Sequence, residues 1–385
     1  MKKVVFLTIM LFACCLSAGA ATADDIIAAA KKALAPDKRT AIWDLSATKN
    51  AAGTLLVSGT LGTNQQKTDL QTYMRQQGIA CDASKVKILQ NDIPGGQQNA
   101  MVKISVATLR ITPAHAGEVA TQAVMGTPLR VIEKAKGWLR VQMPDNYIAY
   151  VPESSVIYRT DEQMSAWRAA KRVIVTTYCS QLLDDAENQQ TVSDLVLGNI
   201  LQYQSQVPGY VIVSTPDGRV GYISTQDVED FKQWSEQPFN LDVVEKNMRR
   251  MLGSPYLWGG TSTKATDCSG LMKVGYFSNA IILARDASQQ TLYGKKIDVT
   301  SYKAQIANLQ RGDLLFFDSG TPGRVSHVGM YLGNGKFIHC SGQVKINSLD
   351  PNDPTYLYSP CAASRINGML NTPYITPVKN HNWYF

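Results

Sequence analysis

Tyr256-Leu257-Trp258-Gly259-Gly260, then Asp267-Cys268-Ser269-Gly270, then Leu271, Val274, Ser278 and Ile281 decide how the C-terminal part of this chain folds. A glycine-rich loop, a short acidic residue and an apolar run at helical spacing read as the start of a helix, with Cys268 at its N-terminus. Unpaired backbone N–H groups and the positive end of the helix dipole favour a thiolate there, so the pattern predicts a lowered thiol pKa. The same N–H groups can receive an oxyanion. An activated sulfur beside oxyanion donors is what acyl transfer at an amide requires.

A thiol nucleophile also needs a proton shuttle, and the chain has four histidines: His115, His327, His339 and His381. Two share one hairpin pattern, in which Val325-Ser326-His327-Val328-Gly329-Met330-Tyr331-Leu332 and Lys336-Phe337-Ile338-His339-Cys340-Ser341 flank Gly333-Asn334-Gly335. A three-residue loop pairs Leu332 with Lys336, sets His339 opposite Gly329 and His327 opposite Ser341, and puts both rings on one polar face. Val328, Met330, Leu332, Ile338 and Cys340 then form the apolar face. A two-residue Asn334-Gly335 loop would split the histidines, and the longer loop is favoured because it alone separates an apolar face from a polar one. His327 becomes the general base and acid beside Cys268, and His339 orients it.

The ordinary reading of a solitary cysteine is a small buried hydrophobe, and of a strand histidine a satisfied, half-buried side chain. Two histidines on one face with a cysteine at a helix start favour catalysis instead. A zinc centre built from Cys268, His327, His339 and Cys340 is disfavoured, because adjacent strand residues point oppositely and leave three ligands at most. No metal or organic cofactor is expected. His115, in a loop, and His381, in the tail, read as surface residues.

A length of 385 residues predicts two to four domains. Hydrophobic residues at 44% and charged residues at 18% exclude wholesale disorder. The formal charge of +7 includes Lys2 and Lys3 and contains no basic run, which makes a nucleic-acid partner a weak reading. Those two lysines precede an apolar run from Val4 to Leu16 and the small-residue sites Ala18-Gly19-Ala20 and Ala21-Thr22-Ala23, the pattern of an export leader over residues 1–23. Leu11-Phe12-Ala13-Cys14 offers the alternative of a lipid anchor through Cys14, although Phe12 is bulky for that motif. The expected location is outside the cytoplasm, in the periplasm or an equivalent compartment. Cys81, Cys179, Cys268, Cys340 and Cys361 remain beyond the leader, an odd number with irregular spacing that argues against a disulfide scaffold.

Residues 24–100 read as a small α/β domain of unknown role, with helices over 26–34 and 68–77 and strands over 40–46, 54–60 and 85–89. Residues 101–165 and 166–235 resemble each other at an offset of 72. Gly126, Trp138, Val141, Pro144, Asp145 and Tyr150 fall opposite Gly198, Tyr210, Val213, Pro216, Asp217 and Tyr222. Each copy fits a small barrel of about five short strands. From Leu241 the spacing turns helical through Val244, Met248 and Met251, and the order of elements over 236–385 predicts an α+β fold.

Together, Pro255-Tyr256-x-Trp258-Gly259-Gly260, Asp267-Cys268-Ser269-Gly270, Arg311-Gly312-Asp313-Leu314, Ser326-His327-Val328-Gly329-Met330-Tyr331 and Ile338-His339 resemble the papain-like NlpC family of bacterial cell-wall peptidases. The paired repeats resemble bacterial SH3-like barrels, an arrangement similar to the γ-D-glutamyl-L-diamino acid endopeptidases of that family. The resemblance implies a papain-like α+β cysteine peptidase domain behind two barrels. It implies cleavage of the amide between D-Glu and meso-diaminopimelate or lysine in wall peptides that begin with free L-Ala, during turnover or recycling. It also implies recognition of that amine by Tyr256, Asp267 and Ser269, joined by Glu118 and Tyr147 of the first barrel. Asp267 and Glu118 would pair with the ammonium, and a blocked amine would leave them desolvated and unpaired. Peptidoglycan peptides are the expected partners of a monomer. The alternatives are an enzyme of the same fold acting on intact peptidoglycan, by hydrolysis or acyl transfer, and a non-catalytic wall-binding protein. The segment before residue 100 and an irregular extension over 348–370 depart from the family pattern.

Overall fold

The computed structural model describes residues 21–385 apart from Asn188, Ser319 and Tyr358, so the leader's apolar run and Cys14 lie outside the described residues. Among the described residues no helix is long and apolar enough to cross a membrane. The chain divides into two units after Leu89, ahead of the boundary expected near residue 100.

The first unit contains α1 (Ala23–Leu34), β1 (Trp43–Lys49), β2 (Leu55–Leu61), α2 (Asn64–Gln76) and β3 (Cys81–Ile88). Thr22 and Thr63 begin the two helices through capping boxes with Asp25 and Gln66. The strands lie in the order β1-β2-β3. β2 runs antiparallel to β1 and parallel to β3, so α2 forms the crossover. Ile26, Ala30, Leu55, Leu61, Leu70 and Met74 are buried between sheet and helices.

The second unit opens with β4 (Asn99–Val102), β5 (Val106–Arg110), β6 (Val119–Val124), β7 (Pro128–Ala135), β8 (Trp138–Gln142), β9 (Ile148–Pro152) and β10 (Val156–Arg159). After α3 (Asp161–Ala169) come β11 (Arg172–Val175), β12 (Cys179–Leu183), β13 (Thr191–Val196), β14 (Ile200–Val207), β15 (Tyr210–Ser214), β16 (Val220–Ser224) and β17 (Val228–Asp230). The two sheets share one topology, β10-β4-β7-β8-β9-β5-β6 and β17-β11-β14-β15-β16-β12-β13. The repeat offset holds strand by strand, since β7, β8 and β9 begin 72 residues before β14, β15 and β16. Seven short strands per copy replace the five expected.

The remainder contains α4 (Phe231–Glu236), α5 (Leu241–Arg250), β18 (Thr261–Ser262), β19 (Ala265–Thr266), α6 (Cys268–Phe277), β20 (Ile281–Leu283), α7 (Ala287–Gln290), β21 (Lys295–Ile297) and α8 (Tyr302–Asn308). It continues with β22 (Leu314–Asp318), β23 (Val325–Gly333), β24 (Lys336–Ser341), β25 (Gln343–Ser348), β26 (Ala362–Arg365) and β27 (Ile375–Pro377). Its main sheet has the order β21-β26-β22-β23-β24-β25. Most of the described residues of the extension over 348–370 are irregular as expected, and Ala362–Arg365 within it form β26, inside the sheet.

The hairpin differs from the sequence reading in an instructive way. Gly333 pairs with Lys336 around a two-residue Asn334-Gly335 turn, with both turn residues at positive φ, and Leu332 is an extra residue in the ladder. The bulge cancels the change of parity that a shorter loop would cause. Gly329 still faces His339, and the pairing ends there.

One face carries Val328, Met330, Ile338 and Cys340 against α5 and α6, as expected. The opposite face is not polar. Leu315, Phe317, Tyr331, Phe337, Leu349 and Ala363 form a second core beside the histidines, and His339 has no solvent exposure. Covering both faces takes His339 out of bulk water and leaves His327 half-buried, which changes their chemistry.

Candidate active site

Asp267, with extended backbone, is the N-cap of α6, and Cys268 is the first helical residue. Asp267 Oδ1 accepts from the Gly270 N–H at 2.7 Å and from Ser269 Oγ at 3.1 Å, while Oδ2 accepts from the Gly259 N–H at 3.0 Å. One carboxylate thus ties the helix start to the glycine-rich loop. A Cβ on Gly270 would lie 2.0 Å from the Gly260 carbonyl oxygen, so only glycine fits there.

The Cys268 thiol is buried, and the backbone N–H groups of Ser269 and Val328 favour its charged form. Val328 follows His327, so the strand that carries the imidazole also touches the nucleophile. Burial, aided by the Asp267 charge, pushes the thiol up to about 12, against the opposing pull of those N–H groups and Arg285. Burial pushes His327 down to about 3, with His339 and Lys345 acting in the same direction and Asp267 opposing. Burial thus favours the neutral thiol and the neutral imidazole and opposes the thiolate expected from the helix start.

His327 Nε2 lies 2.8 Å from His339 Nδ1, with the rings nearly perpendicular at 83°. His339 Nε2 in turn lies 2.8 Å from Asn347 Oδ1. Asn347 is absent from the sequence reading. The tight turn at Gly342 places it on β25 opposite Phe337, a diagonal neighbour of His339. Val344 and Ile346 alternating with Lys345 and Asn347 were the signal available for it.

The residues assigned to amine recognition by resemblance lie around this centre, in surroundings the sequence did not reveal. Arg285, 1% exposed, donates to Asp267 Oδ2 at 2.6 Å, to Oδ1 at 3.2 Å and to Ser269 Oγ at 2.9 Å. Asp267, expected to pair with an ammonium, is thus already paired with Arg285. Tyr147, in the loop before β9, is buried, and its hydroxyl donates to Asp286 Oδ2 at 3.2 Å. Asp286 itself stands 3.9 Å from the Arg285 guanidinium. Glu118 is exposed, and its Oε1 accepts from the Trp258 indole N–H at 2.8 Å. Tyr256 is half-buried, and burial with the neighbouring Cys268 and Asp267 raises its hydroxyl above the ordinary tyrosine range, so it stays protonated. His381, expected at the surface, is partly buried with Nε2 at 2.9 Å from the Pro144 carbonyl oxygen, whereas His115 is exposed.

The first barrel is fixed against this region. Gln122 Oε1 accepts from the Thr261 N–H and from Ser262 Oγ, both at 2.9 Å. Lys273 on α6 pairs with the buried Asp145. Gly259, at φ +81°, passes so close to β6 that a Cβ would lie 2.5 Å from Val119. These contacts set Glu118 and Tyr147 beside the loop that leads to Cys268.

Residues 253–360 match the NlpC/P60 family, and residues 109–156 match the bacterial dipeptidyl-peptidase SH3 domain. A dipeptidyl-peptidase 6 of Lysinibacillus sphaericus is 30% identical over 271 residues, 67% of this chain and 94% of that protein. A gamma-D-glutamyl-L-lysine dipeptidyl-peptidase of Bacillus cereus is 27% identical over 263 residues, 65% of this chain and 76% of that one. Among solved structures, an NlpC/P60 family protein from Bacillus cereus superposes with a TM-score of 0.60 at 24% identity, covering 69% of this chain and 99% of that one. With a helix-start thiol beside a histidine pair, and with this likeness along nearly the whole length of a relative, the chain belongs to the NlpC/P60 family and is a cysteine peptidase.

Proposed function

We propose that the protein hydrolyses the γ-D-Glu–diamino acid amide of peptidoglycan stem peptides that carry a free N-terminal L-Ala, in cell-wall peptide turnover outside the cytoplasm. Cys268 is the nucleophile. As its sulfur attacks the γ-carbonyl carbon, His327 takes the thiol proton, and the Cys268 backbone N–H with a neighbouring donor receives the oxyanion. His327 then protonates the leaving amine, and a water activated by the same ring releases the acyl group as L-Ala-D-Glu. Starting from a neutral pair, charge separates only as the S–C bond forms.

The observation that carries this reading is the charge around the barrel side of the cleft. Glu118, Asp267 and Asp286 stand there, with Arg285 paired to Asp267 and 3.9 Å from Asp286. The excess is negative, which suits a peptide ammonium and disfavours a blocked, neutral N-terminus. With Asp267 compensated, Glu118 is the main counter-charge, and Trp258 holds one of its oxygens in place. Tyr256, Ser269 and Tyr147 supply hydroxyls around it. The names of the relatives support a dipeptidyl-peptidase reading, and the leader pattern over residues 1–23 supports export.

The test is mass spectrometry of products from L-Ala-γ-D-Glu-meso-diaminopimelate, its lysine counterpart and both N-acetylated forms. Release of L-Ala-D-Glu from the free peptides alone is the expected result. Equal cleavage of the acetylated peptides would overturn the amine requirement, and a Cys268→Ala protein as fast as its parent would overturn the mechanism.

A further inference from the structure

Asn347 Nδ2 lies 2.6 Å from the Thr355 carbonyl oxygen, which also accepts from the Ser348 N–H at 3.0 Å. A carbonyl oxygen only accepts, so the amide must turn its NH2 toward Thr355 and its oxygen toward His339. An amide oxygen only accepts as well. His339 Nε2, 2.8 Å from it, must therefore carry the proton. A neutral His339 is then unprotonated at Nδ1, and the 2.8 Å contact with His327 Nε2 is a hydrogen bond only if that nitrogen holds the proton. One lone pair is left over, on His327 Nδ1.

From this chain of donors and acceptors we infer that Asn347 is a positioning residue which, anchored by the Thr355 carbonyl, fixes the tautomers of both histidines and leaves His327 Nδ1 as the base for Cys268. The segment after residue 348, expected as an irregular extension, thereby has a role. It supplies the fixed acceptor from which proton placement propagates through three side chains. Asp353 pairs with Lys336 and accepts from Thr355 Oγ1, so the acceptor is itself braced. When His327 takes the thiol proton at Nδ1, its Nε2–H continues to donate to His339, and no second proton has to move.

The catalytic part of the inference rests on Cys268 and His327 acting as proposed above, whereas the tautomers can be read without turnover. Imidazole 15N NMR of the full Cys268→Ala chain at neutral pH should show Nε2–H tautomers for His327 and His339. Nδ1–H signals for either ring would overturn the inference. Asn347→Leu should lower kcat on L-Ala-γ-D-Glu-meso-diaminopimelate by about 10- to 100-fold at nearly unchanged KM, as loss of an outer partner of a functional histidine does. It should also mix the tautomers.

Asn347→Asp still accepts from His339, so the tautomers should persist. It adds a negative charge to a site where His327 otherwise faces His339, Asp267 and Lys345, and His339 faces Lys345. The acid limb of kcat should accordingly move to higher pH. An Asn347→Leu protein that melts like its parent and keeps its kcat and spectrum would sink the inference. If that variant fails to fold, the parent spectrum and Asn347→Asp decide. Undiminished hydrolysis by Cys268→Ala would instead sink the mechanism and leave the tautomer assignment standing.

Discussion

Asp267 and Arg285 meet in a two-point ion pair, Nη2 to Oδ2 at 2.6 Å and Nη1 to Oδ1 at 3.2 Å, both side chains being nearly inaccessible to solvent. The pair raises the already high guanidinium pKa despite its burial, so Arg285 stays charged. Because Asp267 also caps α6 and accepts from the Gly259 N–H, the cation braces the carboxylate that organises the nucleophile.

Removing one partner of such a pair leaves a buried charge uncompensated, at a cost of about 3–5 kcal/mol. Arg285→Met should fall in this range in urea unfolding. Asp267→Asn retains a capping side chain and removes the negative charge, so the double variant Arg285→Met/Asp267→Asn should lose less stability than the two single losses summed. Strict additivity would show that the pair is not coupled.

The pH dependence follows from the neutral resting pair. A base must be unprotonated to work, and a depressed pKa keeps His327 unprotonated to lower pH. An ordinary imidazole at 6.5 would cost about 30-fold in kcat by pH 5. Here kcat at pH 5 should stay within about threefold of its value at pH 7, because protonation is displaced toward 3. Iodoacetamide should modify the free enzyme at Cys268 with a rate that climbs steadily through pH 9, without the plateau of a low-pKa thiolate. A titration midpoint near neutrality in either profile would contradict the desolvated site.

Gly270→Ala tests the packing behind the nucleophile. The added methyl would meet the Gly260 carbonyl at a separation no real contact allows, and Thr266 and Asp267 close the other sides. A loss of at least 1–3 kcal/mol, typical of overpacking, is expected in thermal or urea unfolding. Unchanged stability would mean that loop and helix are not held as closely as described.

Glu118→Gln keeps the size and the acceptor for Trp258 but removes the charge. It should raise KM for the free-amine tripeptide by about 10-fold with a smaller effect on kcat, the pattern of lost uniform binding. Trp258→Phe removes the indole donor alone and should give a milder rise. Equal KM values for parent and Glu118→Gln would point the amine elsewhere, toward Asp286.

Much of this architecture was legible in the sequence because it is written in local periodicity. Alternation in 325–332 and 336–341 identified the hairpin, the 72-residue offset identified the duplicated barrel, and Asp267-Cys268 marked a helix start. The bulge at Leu332 was illegible, since a two-residue turn with one extra residue has the same parity as a three-residue loop. Arg285 lies 18 positions beyond its partner and follows an apolar stretch, Ile281 to Ala284, so nothing local links it to Asp267. The low thiol pKa was a local inference, and burial, a property of the whole packed domain, overruled it.

The repeated barrel has a further consequence. At the offset of 72, Glu118 corresponds to Gln190 and Tyr147 to Arg219. Arg219 does not approach the cleft chemistry. It pairs with Asp217 and donates to the Lys103 carbonyl oxygen of the first barrel at 2.8 Å. On the proposed function, one copy reads the substrate while the other braces it, so specificity can change in the first copy's loops while the hydrolytic machinery and the scaffold stay untouched.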